Sequence, residues 1–259
     1  MNKTRILGAA LSIALLCGAA AAAEVAKGYL APDALDTITI LPPAPQPGSY
    51  RYDSDRSVFR DTRKLVGSPR WQLATADVDV AVPAMLRNFS CAVGGALSPE
   101  SAPRTTALLT RLQSDTRAAV AAPKDLYQRR RPFLIDPGAT CQPAEKLRDS
   151  FDYPSGHTTW GWAIALVLTE AAPQQASAIL TRGRAYGESR VVCGAHNASA
   201  IEAGRTTAST VVAALHGVPE FRDDVAAARS EIAALRSGSS ELDDAQCAAE
   251  AGLIRTSPY

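Results

Sequence analysis

The sequence predicts an all-α protein folded as a single compact helical domain. Three observations lead there: apolar residues recur at spacings of three and four through most of the chain, no segment shows the alternation of a half-buried strand, and no repeat of fixed period divides the chain. With 259 residues there is enough chain for one sizeable core.

The segments follow in order. Residues 1–23 read as a signal peptide: Lys3 and Arg5 precede an apolar run from Ile6 to Cys17, and small residues suit a cleavage site near Ala23. The run is shorter than the roughly 20 residues of a spanning helix, and Leu16 before Cys17 is not the small residue of a lipoprotein site. Residues 24–52 form an extended Pro-rich arm, with LPPAPQPGS at 41–49, held down by Tyr29, Leu30 and Ile40. The helical domain occupies residues 53–259. From Ser57, Val58, Phe59, Thr62 and Leu65 share a helix face, and Gly67-Ser68-Pro69 stops it. A second helix is expected from Trp71 to Phe89, broken or kinked at Pro83. A third runs from Pro103 to Ala122, with Pro123 ending or bending it just before Lys124. Residues 126–143 are mostly loop, and helices resume over 157–171, 174–187, 199–215 and 221–236.

Removing the leader takes away two basic residues, so the formal charge of +1 becomes −1. A chain this close to neutral gives no electrostatic case for nucleic acid as its main partner, nor for a membrane after signal cleavage. An exported protein, periplasmic or secreted, is the expectation, and exposed helical faces leave room for a homodimer. Cys91, Cys141, Cys193 and Cys247 survive cleavage, and an even number in an exported chain reads as two disulfides. Three pairings are open; the expected one is Cys91–Cys141 with Cys193–Cys247. No two cysteines are closely spaced, which argues against a zinc site, and the three histidines and scattered carboxylates show no ligand spacing, so no metal is expected.

Three clusters carry oxyanion chemistry: Lys124-x6-Arg131-Pro132, Pro154-Ser155-Gly156-His157 and Ser189-Arg190-x5-His196. Lys124, Arg131 and Arg190 are fixed cations, and an arginine fork can hold two phosphate oxygens. Ser155 offers a hydroxyl and Gly156 a backbone N–H at the start of a predicted helix, where an anion is favoured. His196 and His157 are left for nucleophile and general acid. Singly, each has an ordinary reading. Arg129-Arg130-Arg131 alone suits a solvated basic face, Pro154-Ser155-Gly156 a turn into a helix, His216 a cation near a helix end, and Trp160 and Trp162 packing. The conjunction in one order decides for a pocket.

That order resembles the signature of the type 2 phosphatidic acid phosphatase superfamily. The wording KDLYQRRRPF, DYPSGHTTWGWAIALVLTE and RGRAYGESRVVCGAH is closest to its class A bacterial non-specific acid phosphatases, from about Tyr29 to Cys247. The resemblance implies His196 as the nucleophile that becomes phosphohistidine and His157 as the acid that protonates the leaving alcohol. It implies Lys124, Arg131, Ser155, Gly156 and Arg190 as the phosphate cradle, phosphomonoesters as substrates, and no cofactor. A vanadium-dependent haloperoxidase and a non-catalytic phosphate-binding homologue are the rival readings.

In one place the sequence departs from the pattern. An aspartate is expected four residues after the nucleophile, where this chain has Ala200, and Asn197 stands where a tryptophan is usual. That aspartate would accept a hydrogen bond from the far ring nitrogen, fixing tautomer and aim. Glu202 is the nearest carboxylate in sequence, but on a helix it lies about 200° around from position 200. The expectation is therefore an enzyme weakened at His196, with Ser199 or a backbone carbonyl as a lesser acceptor.

Overall fold

The computed structural model describes residues 26–238 and 242–259, so the leader lies outside the described residues. In order come α1 (Thr37–Ile40), α2 (Tyr50–Thr62), α3 (Pro69–Ala76), α4 (Val82–Val93), α5 (Pro103–Tyr127), α6 (Glu145–Arg148), α7 (Gly156–Ala171), α8 (Ala176–Val192), α9 (Ala198–Leu215), α10 (Pro219–Ser237) and α11 (Asp244–Ile254), with no strand among the described residues. The fold is all-α.

α7 is the central helix. Ala163, Ile164, Ala165, Val167 and Leu168 bury it on nearly every side, as expected of a helix enclosed by others. It packs chiefly against α8 and α9, then α5 and α10. Phe89, Leu108, Leu109, Leu112 and Phe221 complete the main core. Each fully buried side chain of this size contributes roughly 1.5–3 kcal/mol, and truncating Phe89 to alanine would cost about 3–5 kcal/mol. Gly204 lets α9 approach the head of α7, because a Cβ there would stand 2.8 Å from the Ser155 carbonyl oxygen.

Several boundaries differ from expectation, each for a local reason. α2 starts at Tyr50, where Ser49 caps it by accepting from the Tyr52 N–H at 3.3 Å; its polar first turns carry no apolar signal. The single helix expected over 71–89 is two, and Pro83 lies in the first turn of α4, where its missing N–H would be unpaired anyway. α5 runs through Pro123 to Tyr127 and closes on Gln128 at φ 42°. α8 continues past Gly187, which packs against Thr158 instead of ending the helix. Tyr29 and Leu30 hold the arm through N–H bonds of 3.0 Å to the Asp115 carboxylate, and the Tyr29 hydroxyl donates to Asp224 at 2.7 Å. Ile40, however, is 41% exposed, and Leu41 is the buried neighbour.

The cysteine pairing is also corrected: Cys91 bonds Cys247 and Cys141 bonds Cys193. Sequence neighbours do not pair because the unanticipated α11 brings Cys247 to α4, with Cα atoms 5.3 Å apart. Cys141 meanwhile lies along the end of α8, its N–H donating to the Cys193 carbonyl at 3.0 Å.

Candidate active site

A cavity of about 300 Å³ opens between α5, the loop after it and the head of α7. Lys124, Arg131, Gly156, His157 and His196 line it. Ser155 and Arg190 are fully buried, and Arg190 reaches the cavity wall by donating to Gln142 Oε1 at 2.8 Å. The three sequence clusters, from α5 and its exit loop, the start of α7, and the α8–α9 junction, thus converge on one place.

At the head of α7, Ser155 is the N-cap, and its Oγ accepts from the Thr158 N–H at 3.3 Å. The N–H groups of Gly156 and His157 have no intrahelical acceptor in the first turn and remain available to an anion. A Cβ at position 156 would meet only Val120 at 3.9 Å, so the protein itself does not require glycine here; the bare backbone leaves cavity space for a ligand.

The segment that carries His196 is held from several sides. Gly194 turns it at φ +73°, where a Cβ would clash with Ala139 O at 2.7 Å. Arg63 donates to the carbonyls of Val191 and Val192 at 2.7 Å each, and the Cys141–Cys193 disulfide clips the same turn. His196 is 2% exposed. Its Nδ1 lies 2.7 Å from the Asp152 carbonyl oxygen and 3.1 Å from Asp152 Oδ1, so the proton sits on Nδ1. Nε2 is then a lone pair, and Arg131 Nη1 donates to it at 3.0 Å.

Asp152 is the site residue that sequence reasoning missed. It corrects the expectation that His196 lacks a carboxylate partner. Three N–H donors aim at its two oxygens, His196 Nδ1, the Asn197 N–H at 3.1 Å and Asn197 Nδ2 at 2.8 Å, and the Arg129 guanidinium pairs with it at 3.3 Å while donating from Nη1 to Ser199 Oγ at 2.6 Å. This is the environment of an ionised carboxylate, although burial pushes its pKa up against the pull of Arg129 and Asn197. Arg129 also binds Asp55 at 2.7 Å, and Asp55 accepts from the Ser199 N–H at 2.9 Å. So Asn197 and Ser199 belong to the carboxylate's support, and of the three consecutive arginines only Arg130 is exposed. Glu202 points outward, 53% exposed and paired with Arg51. Ala200 is fully buried among Leu41, Ala44, Tyr153 and Ala203.

Lys124 and Arg131 stand at the cavity wall and Arg190 behind it. Lys124 donates to the Phe151 carbonyl, and burial, with Arg131 adding to the effect, lowers its pKa to about 8. Burial also lowers Arg190 to about 10. His157 and His196 are pushed well below the ordinary histidine value, first by burial and then by the neighbouring arginines. Both rings are therefore neutral in the free protein. His157 donates from Nε2 to the Val78 carbonyl at 3.1 Å, which leaves Nδ1 unprotonated until an anion enters. Trp160 lines the cavity, but its Nε1–H is tied to the Val80 carbonyl at 3.1 Å. Among the described residues, no three His, Cys, Asp or Glu side chains gather as they would around a metal ion.

The chain matches the family model described as the PAP2 superfamily over residues 106–223. It is similar to the acid phosphatase of Zymomonas mobilis subsp. mobilis, at 39% identity over 83% of this chain and 82% of that protein. It is likewise similar to the non-specific acid phosphatases of Salmonella typhimurium, at 36% over 81% and 86% of the two chains, and of Providencia stuartii, at 39% over 78% and 83%.

Proposed function

Because the chain belongs to the PAP2 superfamily, alongside its non-specific acid phosphatases, we propose that it is an exported acid phosphatase that hydrolyses phosphomonoesters through a phosphohistidine on His196. The observation that carries this reading is the hydrogen bonding of His196: Nδ1–H is fixed by Asp152, and the Nε2 lone pair accepts from Arg131 Nη1, a donor that an entering phosphoryl group would draw to its own oxygens. A neutral, aimed imidazole is what a nucleophile needs.

In the first step Nε2 forms a bond to phosphorus while the bond to the ester oxygen breaks. The alcohol leaves with a proton from His157. A water then attacks phosphorus as His157 takes its proton, the P–N bond breaks, and inorganic phosphate and free His196 result. Lys124, Arg131, Arg190, the Ser155 hydroxyl and the Gly156 N–H hold the phosphoryl oxygens as charge shifts onto them. His157 acts as an acid only once substrate is present, since the phosphate charge raises a pKa that burial had depressed. Asp152 stabilises the imidazolium-like ring of the intermediate from behind, in place of the carboxylate missing at position 200.

Export to the periplasm or medium is supported by two disulfides, which persist in oxidising compartments, and by the leader-like first residues. The function is tested by mixing the protein with a radiolabelled phosphomonoester and quenching into alkaline detergent, which preserves a P–N bond that acid would hydrolyse. A phosphoenzyme labile to acid and stable to base is expected, absent in His196→Ala. Full hydrolysis by His196→Ala would refute it.

A further inference from the structure

Beyond the cations at the cavity floor, two more line the same cavity and take no part in the chemistry above. Arg117 stands seven residues before Lys124 on α5, so the two share nearly one helix face and lie about 10 Å apart along the axis. Lys146 comes from α6, a separate part of the chain. Both are exposed, and among the described residues neither makes an ion pair or a side-chain hydrogen bond. No aspartate or glutamate lines the cavity to balance them. Val120 lies between Arg117 and Lys124 on α5, three residues after one and four before the other, and Val80, Leu147 and Trp160 add apolar surface to the lining. The lining therefore joins buried cations to exposed ones, with an apolar side chain between them along α5.

We propose that Arg117 and Lys146 form a second anion subsite at the mouth, so that the preferred substrates are phosphomonoesters whose alcohol carries a second phosphate, held about 10 Å from the one that reacts. The proposal rests on the phosphatase reading and narrows its substrate class. The reacting phosphate binds at the floor, the spacer passes Val120, and the second phosphate meets the two free cations. Because these cations are solvated, their pull is moderate and salt-sensitive.

The test uses a matched pair of non-hydrolysable ligands, hexane-1,6-diyl bisphosphonate and 6-hydroxyhexyl phosphonate, titrated calorimetrically at low salt. The bisphosphonate is expected to bind the parent protein about tenfold more tightly, and added salt should shrink the ratio. In Arg117→Gln/Lys146→Gln it should fall to about two, the statistical factor for two equivalent ends. A ratio of about two in the parent, or one that the double substitution leaves unchanged, overturns the subsite. Both side chains are exposed, and the salt series on the parent protein reads the same interaction without any substitution. The matching bisphosphate and monophosphate are then assayed for hydrolysis. A high binding ratio with neither ester hydrolysed would reject the phosphatase reading and keep the subsite, whereas a ratio of about two with both esters hydrolysed would do the reverse.

Discussion

Asp152 grips His196 twice, with its main-chain carbonyl 2.7 Å and its carboxylate 3.1 Å from the same Nδ1. The two acceptors do different work. The carbonyl alone fixes the tautomer, and the carboxylate adds negative charge behind a ring that becomes positive. Asp152→Asn should therefore keep Nε2 unprotonated and lose the charge, with the Asn197 amide turning so that its otherwise unpartnered Oδ1 accepts from the new amide N–H. The expected drop in kcat is about 10- to 100-fold, roughly 1.4–2.7 kcal/mol of barrier, with phosphate affinity changed much less. Steady-state kinetics beside phosphate inhibition constants read this directly, and a loss confined to KM would contradict it.

Position 200 should now respond in opposite ways in two backgrounds. In the parent protein, Ala200→Asp buries a carboxylate in an apolar cluster while His196 already has its partner, so a lower Tm and no gain in turnover are expected. In Asp152→Asn the same change supplies the missing charge and should raise kcat. Glu202→Gln should be nearly silent, because Glu202 pairs with Arg51 at the surface. A severe loss in Glu202→Gln would point to a partner for His196 other than Asp152.

The leaving group should reveal His157. In His157→Ala, hydrolysis of esters with poor leaving alcohols should fall by about 10²–10⁴-fold, and that of an acidic phenol ester far less. Plotting log kcat/KM against leaving-group pKa should give a steeper slope for the variant. Parallel lines would remove His157 from the acid role.

Lys124 sets a pH limit on phosphate binding. Its pKa in the free protein is lowered to about 8, and a bound phosphate dianion restores the ammonium. Above about 8 the complex thus holds a proton that the free protein has lost, and affinity must fall as pH rises, by at most about tenfold per unit. Calorimetric titration with inorganic phosphate between pH 8 and 10 checks this; constant affinity across that range would exclude it.

The helical class and the convergence of the three clusters were legible because each rests on short-range pattern: periodicity for α7 and α9, and fixed spacing for Lys124 to Arg131 and Arg190 to His196. What spacing could not carry was contact across long separations. Asp152 lies 44 residues before His196, and Arg129 meets Asp55 from 74 residues away. Nothing local marks such pairs, although Asp152 directly precedes Tyr153-Pro154-Ser155-Gly156 and its proximity to that motif was a usable hint. The disulfides failed for the same reason, since α11 has too faint an apolar face to announce where it would carry Cys247.

The place of Asp152 also constrains the order of mutational events. If relatives keep the carboxylate on α9, a lineage could not have lost it first without passing through a form in which His196 had no charged partner. A chain carrying both carboxylates would bridge the two arrangements, and with Asp152 present position 200 can be alanine and close over with Leu41 and Tyr153. With Asp152 in place, a carboxylate returned to position 200 brings only the cost of burial among apolar neighbours, so the two arrangements exclude one another in stability rather than in chemistry.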